Sequence, residues 1–201
     1  MSDLLLATAN RGKQREFGRL LADIPGRLVF PQQIGVELDV PEPHDTYAQN
    51  ATAKADAYCR ASGRLTLADD SGIEVAALAW GPGVITARFG GADVLDRVAL
   101  LLEAVGASTD RAARMVCVLA LATPPAAAGD PPHIETFTGS MEGSLAHEPR
   151  GEGGFGYDPI FLLPSGQTTA ELAEAEKDCL SHRGRAVAAA MPRLRELLAG
   201  R

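Results

Sequence analysis

The chain has 201 residues, of which 46% are apolar, and its formal net charge at neutral pH is −7. These values predict one folded domain over residues 1–201, and they argue against a disordered chain and against nucleic acid as a partner, which requires a basic face. No apolar run reaches the roughly 18 residues of a membrane span, the N-terminus has no basic signal-peptide stretch, and the three cysteines have no metal or redox spacing. We therefore expect a cytoplasmic protein that does not contact membranes.

Strand and helix signals alternate along the chain, which predicts an α/β fold. The second helix is the clearest, since Thr46 and Gln49 form a capping-box pattern at its start and Gly63 follows its last residue. Pro192 should kink or restart the last helix. In chain order, the predicted elements begin with a strand at 4–8, helices at 12–24 and 46–62, and strands at 65–68 and 73–75 on either side of a tight turn. A third helix is marked by Leu95, Val98, Leu102 and Val105, and it is followed by a strand at 115–121, a loop at 123–132, strands at 134–138 and 142–145, and a strand-like run at 160–163. The C-terminal helix has Val187, Met191, Leu194 and Leu198 on one face.

The junction between the first strand and the first helix has the composition of an anion-binding turn. Its residues are Thr8, Ala9, Asn10, Arg11, Gly12 and Lys13. The N–H groups and the dipole at a helix N-terminus attract anions, and Lys13 adds a positive charge at the same place. The Walker A pattern is absent. An ordinary turn, capped by Asn10 and followed by a solvated Lys13, explains the same residues equally well.

The tetrapeptide Asp69-Asp70-Ser71-Gly72 is predicted to form the turn between two strands. Adjacent side chains diverge on a strand, so the two carboxylates should have different roles. One of them is suited to coordinate Mg²⁺, and the other to orient or deprotonate an attacking water. Serine and glycine are also common turn residues, so a purely structural turn is the alternative.

A polar stripe runs along the second predicted helix. Thr46, Asn50 and Lys54 are spaced four residues apart, and Glu42 lies just upstream between two prolines. The stripe fits a solvated helix face, and it also fits the wall of a cleft in which Lys54 approaches a phosphate. The pattern alone leaves both interpretations open.

The segment Gly151–Pro159 combines four glycines with the aromatic residues Phe155 and Tyr157. Flat rings beside bare peptide groups suit a flat ligand such as a nucleobase, stacked on one side and hydrogen-bonded along its edge. The segment matches the dinucleotide fingerprint by letter only, because a strand follows it and Pro159 stands where a helix would begin. A glycine-rich hairpin or bulge is the alternative.

Late in the chain, Lys177 precedes the run Ser181-His182-Arg183 at a predicted break between helices. A lone histidine is more often structural than catalytic, but His182 has two cations near it in sequence. Arginine donates hydrogen bonds and would therefore favour a carbonyl oxygen on a base edge over an exocyclic amine. Serine-nucleophile chemistry is disfavoured, because no G-x-S-x-G elbow is present.

Taken together, these segments resemble the inosine triphosphate pyrophosphatase family. The matching segments, in order, are Thr8–Lys13, Asn50–Ala55, Ala68–Gly72, Pro82-Gly83 with Ala87-Arg88, Gly153–Pro159, and Lys177 with Ser181–Arg183. The resemblance implies hydrolysis of the non-standard purine nucleotides ITP, dITP and XTP to monophosphate and pyrophosphate with Mg²⁺ as cofactor. It also implies a homodimer, and an elongated α/β fold whose long central mixed sheet is surrounded by helices, with two lobes forming a nucleotide cleft.

The resemblance further assigns roles to individual residues. Asp70 is implied as the proton acceptor, with Lys13 and Lys54 as the other catalytic residues. The implied metal ligands are Asp70, Glu42 and Asp69. The implied substrate-binding residues are Thr8, Ala9, Asn10, Arg11, Gly12, Lys13, Ser71, Phe155, Gly156, Tyr157, Asp158, Lys177, His182 and Arg183.

Three positions depart from the family pattern. Gln49 stands where many relatives carry glutamate, and Pro41 stands where some relatives carry an acid. Ala9 replaces a frequent glycine. The first two affect the surroundings of the expected metal, but none removes an implied catalytic residue, so we expect activity. Two other functions fit less well: a Maf-like pyrophosphatase acting on modified pyrimidine nucleotides, and a nucleotide-binding module without activity.

Overall fold

The computed structural model describes residues 3–89, 94–127 and 129–200. Within these residues the helices are α1 (Arg11–Leu20), α2 (Tyr47–Ser62), α3 (Val94–Val105), α4 (Glu174–Leu180) and α5 (His182–Ala199). The strands are β1 (Asp3–Leu6), β2 (Arg27–Val29), β3 (Leu65–Val75), β4 (Gly81–Pro82), β5 (Ala112–Thr123), β6 (His133–Leu145) and β7 (Phe161–Leu162). Short 3₁₀ helices occupy Pro31–Ile34, Ala76–Leu78, Gly83–Arg88, Asp158–Ile160 and Thr169–Glu171.

All seven strands belong to one mixed sheet. Its order is β2-β1-β3-β5-β6-β7, and β4 pairs with β3 beside this path. β1 runs parallel to both β2 and β3, whereas β4 and β7 run antiparallel to their neighbours. The predicted α/β class with a central mixed sheet is therefore confirmed.

The chain divides into two compact units, and β3, β5 and β6 each contribute residues to both. The first unit comprises the chain up to Asp70, Cys117–Gly139 and the chain from Arg183 onward. The second comprises Ser71–Val116 and Ser140–His182. That residues 1–201 form a single domain stays a prediction.

In the first unit, helices cover both faces of the sheet. Leu4 and Leu6 of β1 lie in an apolar cluster that includes residues of α1 and α5. Leu5 and Ala7 lie in another cluster that includes residues of α2. Successive side chains of a strand point to opposite faces, so Leu4, Leu5 and Leu6 are all apolar because both faces of β1 are buried at these residues.

The second unit has its own apolar core. Ile73 and Val75 from β3 pack in one cluster with Leu101 of α3 and Phe161 of β7. The burial of Phe161 accounts for the strand-like run predicted at 160–163, of which only two residues form β7.

The turn predicted at residues 69–72 is wrong, because β3 continues through them without interruption. Turn-forming residue types suggested a break, but the buried carboxylates have partners within the fold. Asp69 forms an ion pair with Lys13, and Asp70 accepts a hydrogen bond from Asn50. Buried polar groups with such partners are tolerated in a strand interior. The two aspartates therefore lie in the middle of an interior strand.

The predicted break between two later strands is also wrong, and so is a restart of the last helix, which was one of the two effects expected at Pro192. The strands predicted at 134–138 and 142–145 form one strand, β6, since Gly139 and Ser140 remain within it. Pro192 does not restart the last helix, which runs continuously through it. Residues of α5 on both sides of Pro192, including Val187 and Leu194, are buried in the core of the first unit, and this packing outweighs the lost backbone hydrogen bond.

The remaining predicted elements are present, although α1 ends at Leu20 and not at residue 24. α2 begins after Thr46 and ends at Gly63, whose φ of 64° is the left-handed conformation expected after a helix. β2 and β4 were not predicted. Of the predicted features, the side chain of Leu95 and residue 128 lie outside the described residues. Cys59, Cys117 and Cys179 are all free thiols, and among the described helices none is long and apolar enough to span a membrane.

Candidate active site

The turn between β1 and α1 has the geometry of a capped helix start. The side chain of Asn10 accepts a hydrogen bond from the backbone N–H of Lys13 at 3.1 Å, and the Thr8 hydroxyl accepts one from the Asn10 N–H at 3.2 Å. Ala9, Asn10 and Arg11 are exposed. No acidic residue lies in the first turn of α1, so nothing within that turn offsets the positive end of the helix dipole. The turn is therefore suited to an anion.

Lys13 is not a solvated residue of this turn. Its Nζ lies 2.7 Å from Oδ2 of Asp69, a carboxylate with no exposed surface. Lys54 approaches the same residue, donating from Nζ to the main-chain oxygen of Asp69 at 3.0 Å. Burial alone would raise the pKa of Asp69, but the charges of Lys13, Lys54 and Arg183 outweigh it and lower the pKa to about 2. Asp69 is therefore a permanent negative charge that holds lysine side chains in place.

Asp70 has different surroundings, although it is the next residue of β3. Its Oδ2 accepts a hydrogen bond from Nδ2 of Asn50 at 3.0 Å. Burial raises the pKa of Asp70 above its usual value and the charge of Glu42 raises it further, while the Asn50 hydrogen bond and the two lysines oppose the rise. A carboxylate with a raised pKa is a better proton acceptor than an ordinary aspartate.

Two residues of the polar stripe, Asn50 and Lys54, face this cluster, whereas Thr46 is exposed at the start of α2. Asn50 is fully buried, and only 14% of the Lys54 side chain is exposed. Lys54 forms an ion pair with Glu42. Burial would lower the pKa of Lys54, but Asp69 and Glu42 raise it above its usual value, so the ammonium group stays charged. The sequence stripe had indicated this arrangement as one of two alternatives.

A second buried ion pair joins α1 to α5. Nη1 of Arg183 lies 3.0 Å from Oε2 of Glu16, and both side chains are nearly inaccessible to solvent. Arg183 was among the predicted site residues, but Glu16 was not. Glu16 lies three residues after Lys13 and directly before the buried Phe17, so its helical position was the available signal.

In the second unit, Asp158 organises the glycine-rich segment. One of its carboxylate oxygens accepts a hydrogen bond from the backbone N–H of Phe155 at 2.7 Å and lies 2.6 Å from Nζ of Lys177. The other accepts a hydrogen bond from the Thr169 hydroxyl at 2.9 Å. Asp158 and Lys177 are both buried, so their contacts shape the backbone that carries Phe155.

The other predicted substrate-binding residues differ in exposure. Phe155, Gly156 and Ser71 are partly exposed, whereas Tyr157 and His182 are buried. The Tyr157 hydroxyl donates to the main-chain oxygen of Thr86 at 3.2 Å, and burial raises its pKa. Tyr157 also belongs to the apolar core of the second unit. Its ring therefore packs the fold, and Phe155 is the more accessible of the two aromatic residues.

Asp70 and Glu42 offer the donor atoms that suit magnesium. Mg²⁺ binds through one or two carboxylates, completed by waters and substrate phosphates. The charge of Glu42 raises the pKa of Asp70, and a cation beside both carboxylates would remove this repulsion. Asp69 fits less well, since its Oδ2 is in an ion pair with Lys13. In the part of the chain that the structure describes, no group of three or more histidine, cysteine, aspartate or glutamate side chains has the arrangement of a metal site.

Sequence comparison identifies relatives over nearly the whole chain. The model of the Ham1 family matches residues 4–193. A curated protein of Nostoc sp. named dITP/XTP pyrophosphatase is 41% identical over 196 residues, which are 97% of this chain and 95% of that protein. A protein of the same name from Chromobacterium violaceum is 45% identical over 197 residues, which are 96% of this chain and 98% of that protein.

Solved structures agree with the sequence relatives. A HAM1 protein from Coxiella burnetii superposes with a TM-score of 0.82 at 36% identity, with full coverage of both chains. A nucleoside-triphosphatase from Mycobacterium abscessus, also described as a dITP/XTP pyrophosphatase, superposes with a TM-score of 0.73 at 38% identity. That match covers 94% of this chain and 99% of the other.

Proposed function

The chain belongs to the Ham1 family, and from this we infer that it is a nucleoside-triphosphate pyrophosphatase. It hydrolyses the non-standard purine nucleotides dITP, XTP and ITP to the nucleoside monophosphate and pyrophosphate. The relatives from Nostoc sp. and Chromobacterium violaceum, which carry the name dITP/XTP pyrophosphatase, match almost the entire chain. The reaction removes deaminated purines from the nucleotide pool.

The single observation that carries this function is the contrast between two consecutive aspartates. Asp69 is held as a charged anchor for Lys13, whereas Asp70 is buried with a raised pKa. Hydrolysis of a phosphoanhydride needs a proton acceptor for the attacking water together with fixed positive charge for the phosphates. The first unit supplies both within one group of side chains.

In the proposed mechanism, Asp70 accepts the proton of the attacking water. The water oxygen forms a bond to the α-phosphorus, the bond from that phosphorus to the bridging oxygen breaks, and pyrophosphate leaves. The proton stays on the Asp70 carboxylate until it is released to solvent. Burial, which is the largest cause of the raised pKa of Asp70, favours this uptake.

Lys13 and Lys54 stabilise the negative charge that develops on the phosphates. Asp69 keeps their ammonium groups oriented through its carboxylate and its main-chain oxygen. The exposed turn at the start of α1 contributes N–H groups and the positive end of the helix dipole. These groups are ordered in the fold, so they need little rearrangement during the reaction.

We assign a magnesium ion to Asp70 and Glu42, on the basis of their oxygen donors and their mutual repulsion. When bound, Mg²⁺ neutralises phosphate charge and makes the reacting phosphorus more electrophilic. The ion pair with Lys54 holds the Glu42 carboxylate in place.

Stacking on the base is assigned to the second unit. In the second unit, the partly exposed Phe155 offers a ring for stacking on the purine, with its backbone fixed by Asp158. Arg183 lies in the first unit, where Glu16 orients it, and its N–H donors suit a carbonyl oxygen such as the 6-oxo group that distinguishes hypoxanthine and xanthine from adenine. His182, the buried residue before Arg183, is implied in substrate binding by the family resemblance.

We also propose that the enzyme is a cytoplasmic homodimer. The free state of all three cysteines supports a reducing compartment, and the family resemblance supports the dimer. Size-exclusion chromatography with light scattering should give twice the 21.1 kDa mass of one chain. A species with the mass of one chain at micromolar concentration would contradict the dimer.

The decisive experiment is pyrophosphate release from dITP, XTP, ITP, ATP, GTP and dUTP, with Mg²⁺ and with a chelator, and with the nucleotide product identified. We expect metal-dependent conversion of the first three to monophosphates and little turnover of ATP or GTP. Preferential turnover of dUTP would indicate a pyrimidine-specific enzyme. Tight binding of dITP without any pyrophosphate release would indicate a binding module, and either result would overturn the proposed function.

A further inference from the structure

α2 anchors the segment 38–44 at both of its ends through side chains that bind backbone groups. The Tyr58 hydroxyl accepts a hydrogen bond from the N–H of Leu38 at 3.3 Å and donates to the Leu38 carbonyl oxygen at 3.0 Å. The amide of Asn50 accepts from the N–H of His44 at 3.0 Å and donates to the His44 carbonyl oxygen at 3.2 Å. Because both anchors bind peptide groups, they hold the segment whatever its side chains are.

The middle of the same segment carries Glu42, which forms an ion pair with Lys54. Asn50, Lys54 and Tyr58 are each four residues apart, so they lie on one face of α2. This face therefore holds the segment at its two ends and in its middle. The position of Glu42 is set by α2.

Asn50 makes one contact that Tyr58 does not, since its Nδ2 also donates to Oδ2 of Asp70 at 3.0 Å. A side-chain amide has two N–H donors and one acceptor oxygen. Here the donors go to the His44 carbonyl and to Asp70, and the acceptor takes the His44 N–H. The opposite amide orientation would place the Asn50 oxygen against two other acceptors. The chemistry of the neighbours therefore fixes the orientation of this fully buried side chain.

We propose that Asn50 is a positioning residue for the reaction: it fixes the carboxylate plane of Asp70 and couples it to the segment that carries Glu42. The inference rests on the proposed function, in which Asp70 accepts the proton. Rotation of Asp70 away from its orientation removes the alignment that proton transfer requires, and misplacement on the order of 1 Å costs roughly 100-fold in rate. Asn50 would thus act through Asp70 without touching the substrate.

The test compares Asn50→Ala with Tyr58→Phe, which removes the other anchor of the segment without touching Asp70. For Asn50→Ala we expect kcat on dITP to fall by about 10- to 100-fold with KM changed less than about threefold. For Tyr58→Phe we expect kcat within about threefold of the wild type. Equal losses of kcat in both variants would mean that Asn50 only tethers the segment, and an unchanged kcat in Asn50→Ala would also overturn the inference.

A second variant covers the case in which Asn50→Ala does not fold. Asn50→Asp keeps the volume and the acceptor for the His44 N–H, but it cannot donate to Asp70 when ionised. The same loss of kcat is expected for this variant once its folding has been verified by thermal unfolding. A folded Asn50→Asp protein with wild-type kcat would contradict the positioning role.

The role of Asn50 can be tested separately from the proposed function. If the wild type releases no pyrophosphate from dITP or XTP, the proposed function fails, and the Asn50–Asp70 coupling is read from unfolding. A double-mutant cycle of Asn50→Ala and Asp70→Ala should show a coupling of about fivefold or more in the equilibrium constant of unfolding. A coupling below about twofold would overturn the inference independently of activity.

Discussion

Asp69 and Asp70 differ in which charges lie near their carboxylates, and this difference decides what each contributes. The lysines lower the pKa of Asp69 to about 2 despite its burial, so ionised Asp69 stabilises the folded state at neutral pH. Burial raises the pKa of Asp70 above its unfolded value, so ionised Asp70 costs stability at neutral pH. Ionised Asp69 therefore stabilises the fold, whereas ionised Asp70 lowers its stability.

For Asp70→Asn we expect kcat on dITP to fall by at least about 100-fold, because general-base groups contribute roughly 10²–10⁴-fold. The variant should be as stable as the wild type or more stable, since the neutral amide does not carry the cost of a buried charge with a raised pKa. Steady-state kinetics and denaturant unfolding at neutral pH measure the two effects. Turnover above about a tenth of the wild-type value would exclude Asp70 as the proton acceptor.

Asp69→Asn is the matched variant, and we expect it to lower the stability of the fold. Its neutral amide leaves the ammonium group of Lys13 without the carboxylate that lies 2.7 Å away. Removing one partner of a buried ion pair costs about 3–5 kcal/mol, so denaturant unfolding should show a large loss of stability. A variant as stable as the wild type would show that Asp69 does not anchor Lys13.

Gly154 tests whether Asp158 shapes the glycine-rich segment. Its φ is 72°, and a Cβ at this position would overlap the Asp158 carboxylate that accepts the Phe155 N–H. We expect Gly154→Ala to lower the thermal unfolding temperature and to raise KM for dITP. For the effect on stability, Gly156→Ala is the control, because its φ of 67° is similar but no atom lies within 4 Å of the added Cβ. That control should cost only about 1–2 kcal/mol of backbone strain. Equal effects would show that the Asp158 contact is unimportant.

At the residue scale, sequence reasoning found the charged residues but not their partners. Lys13, Asp70 and Arg183 were recognised from their motifs, whereas Glu16 was overlooked and Asn50 was noted only as part of a stripe. The pairing of Arg183 with Glu16 joins residues 167 positions apart. A local pattern carries no information on such a contact, because only the packing of α5 beside α1 creates it.

At the scale of elements, α2 shows how a local signal fixes a helix boundary. The Thr46 hydroxyl accepts a hydrogen bond from the Gln49 N–H at 3.2 Å, as the sequence pattern predicts. We expect Thr46→Ala to lower the free energy of unfolding by about 1 kcal/mol, the usual contribution of an N-cap. Denaturant unfolding measures this value. Thr46→Ser retains the hydroxyl and should be nearly neutral, and a similar loss in both variants would contradict the capping role.

Asp3, at the start of β1, offers a test of how the stability of the fold depends on pH. Asp3 in β1 bonds to Arg27 of β2 through Nε at 3.0 Å and to Arg64, before β3, through Nη1 at 2.6 Å. The hydrogen bond from Arg27 lowers the pKa of Asp3 below its usual 3.8. A lowered folded-state pKa contributes stability above the unfolded-state value and loses it as the pH falls through the folded-state value.

We therefore expect Asp3→Asn to cost up to about 1 kcal/mol at neutral pH, because these groups are partly exposed to solvent. The difference from the wild type should vanish once the pH is well below 3.8, where Asp3 is protonated. Denaturant unfolding of both proteins across this range measures it. A difference that persists in acid would point to a cause other than the charge of Asp3.

The helices were easier to predict than the strands, for physical reasons that particular elements illustrate. α2 carries its own cap and stop signals, so its bounds follow from local chemistry. β3 was divided by the turn-like residues 69–72, since the pattern cannot show that Lys13 and Asn50 stabilise the aspartates within the strand. β2 has only three residues and is stabilised by its pairing with β1. The local sequence of β2 does not predict this pairing.

At the scale of the whole molecule, the charge of the site favours the proposed cation. The group contains three cations and four anions: Lys13, Lys54 and Arg183, with Glu16, Glu42, Asp69 and Asp70. The chain as a whole also has a net charge of −7. A triphosphate adds further negative charge, so binding is favoured only where local positive charge and a metal ion offset it. The acidic balance thus supports the proposed dependence on Mg²⁺.

This dependence predicts how ligand binding changes the stability of the whole chain. A dITP analogue with a non-cleavable α,β link, present with Mg²⁺ at about 100 times its Kd, should stabilise the protein by about 2.7 kcal/mol. For a chain of this length, that corresponds to a rise of roughly 5–10 °C in the thermal unfolding temperature. The rise should be lost with a chelator, and the matching dATP analogue should produce little change. An equal shift without Mg²⁺ would separate nucleotide binding from the metal, and an equal shift with the dATP analogue would show that the protein does not read the 6-oxo group.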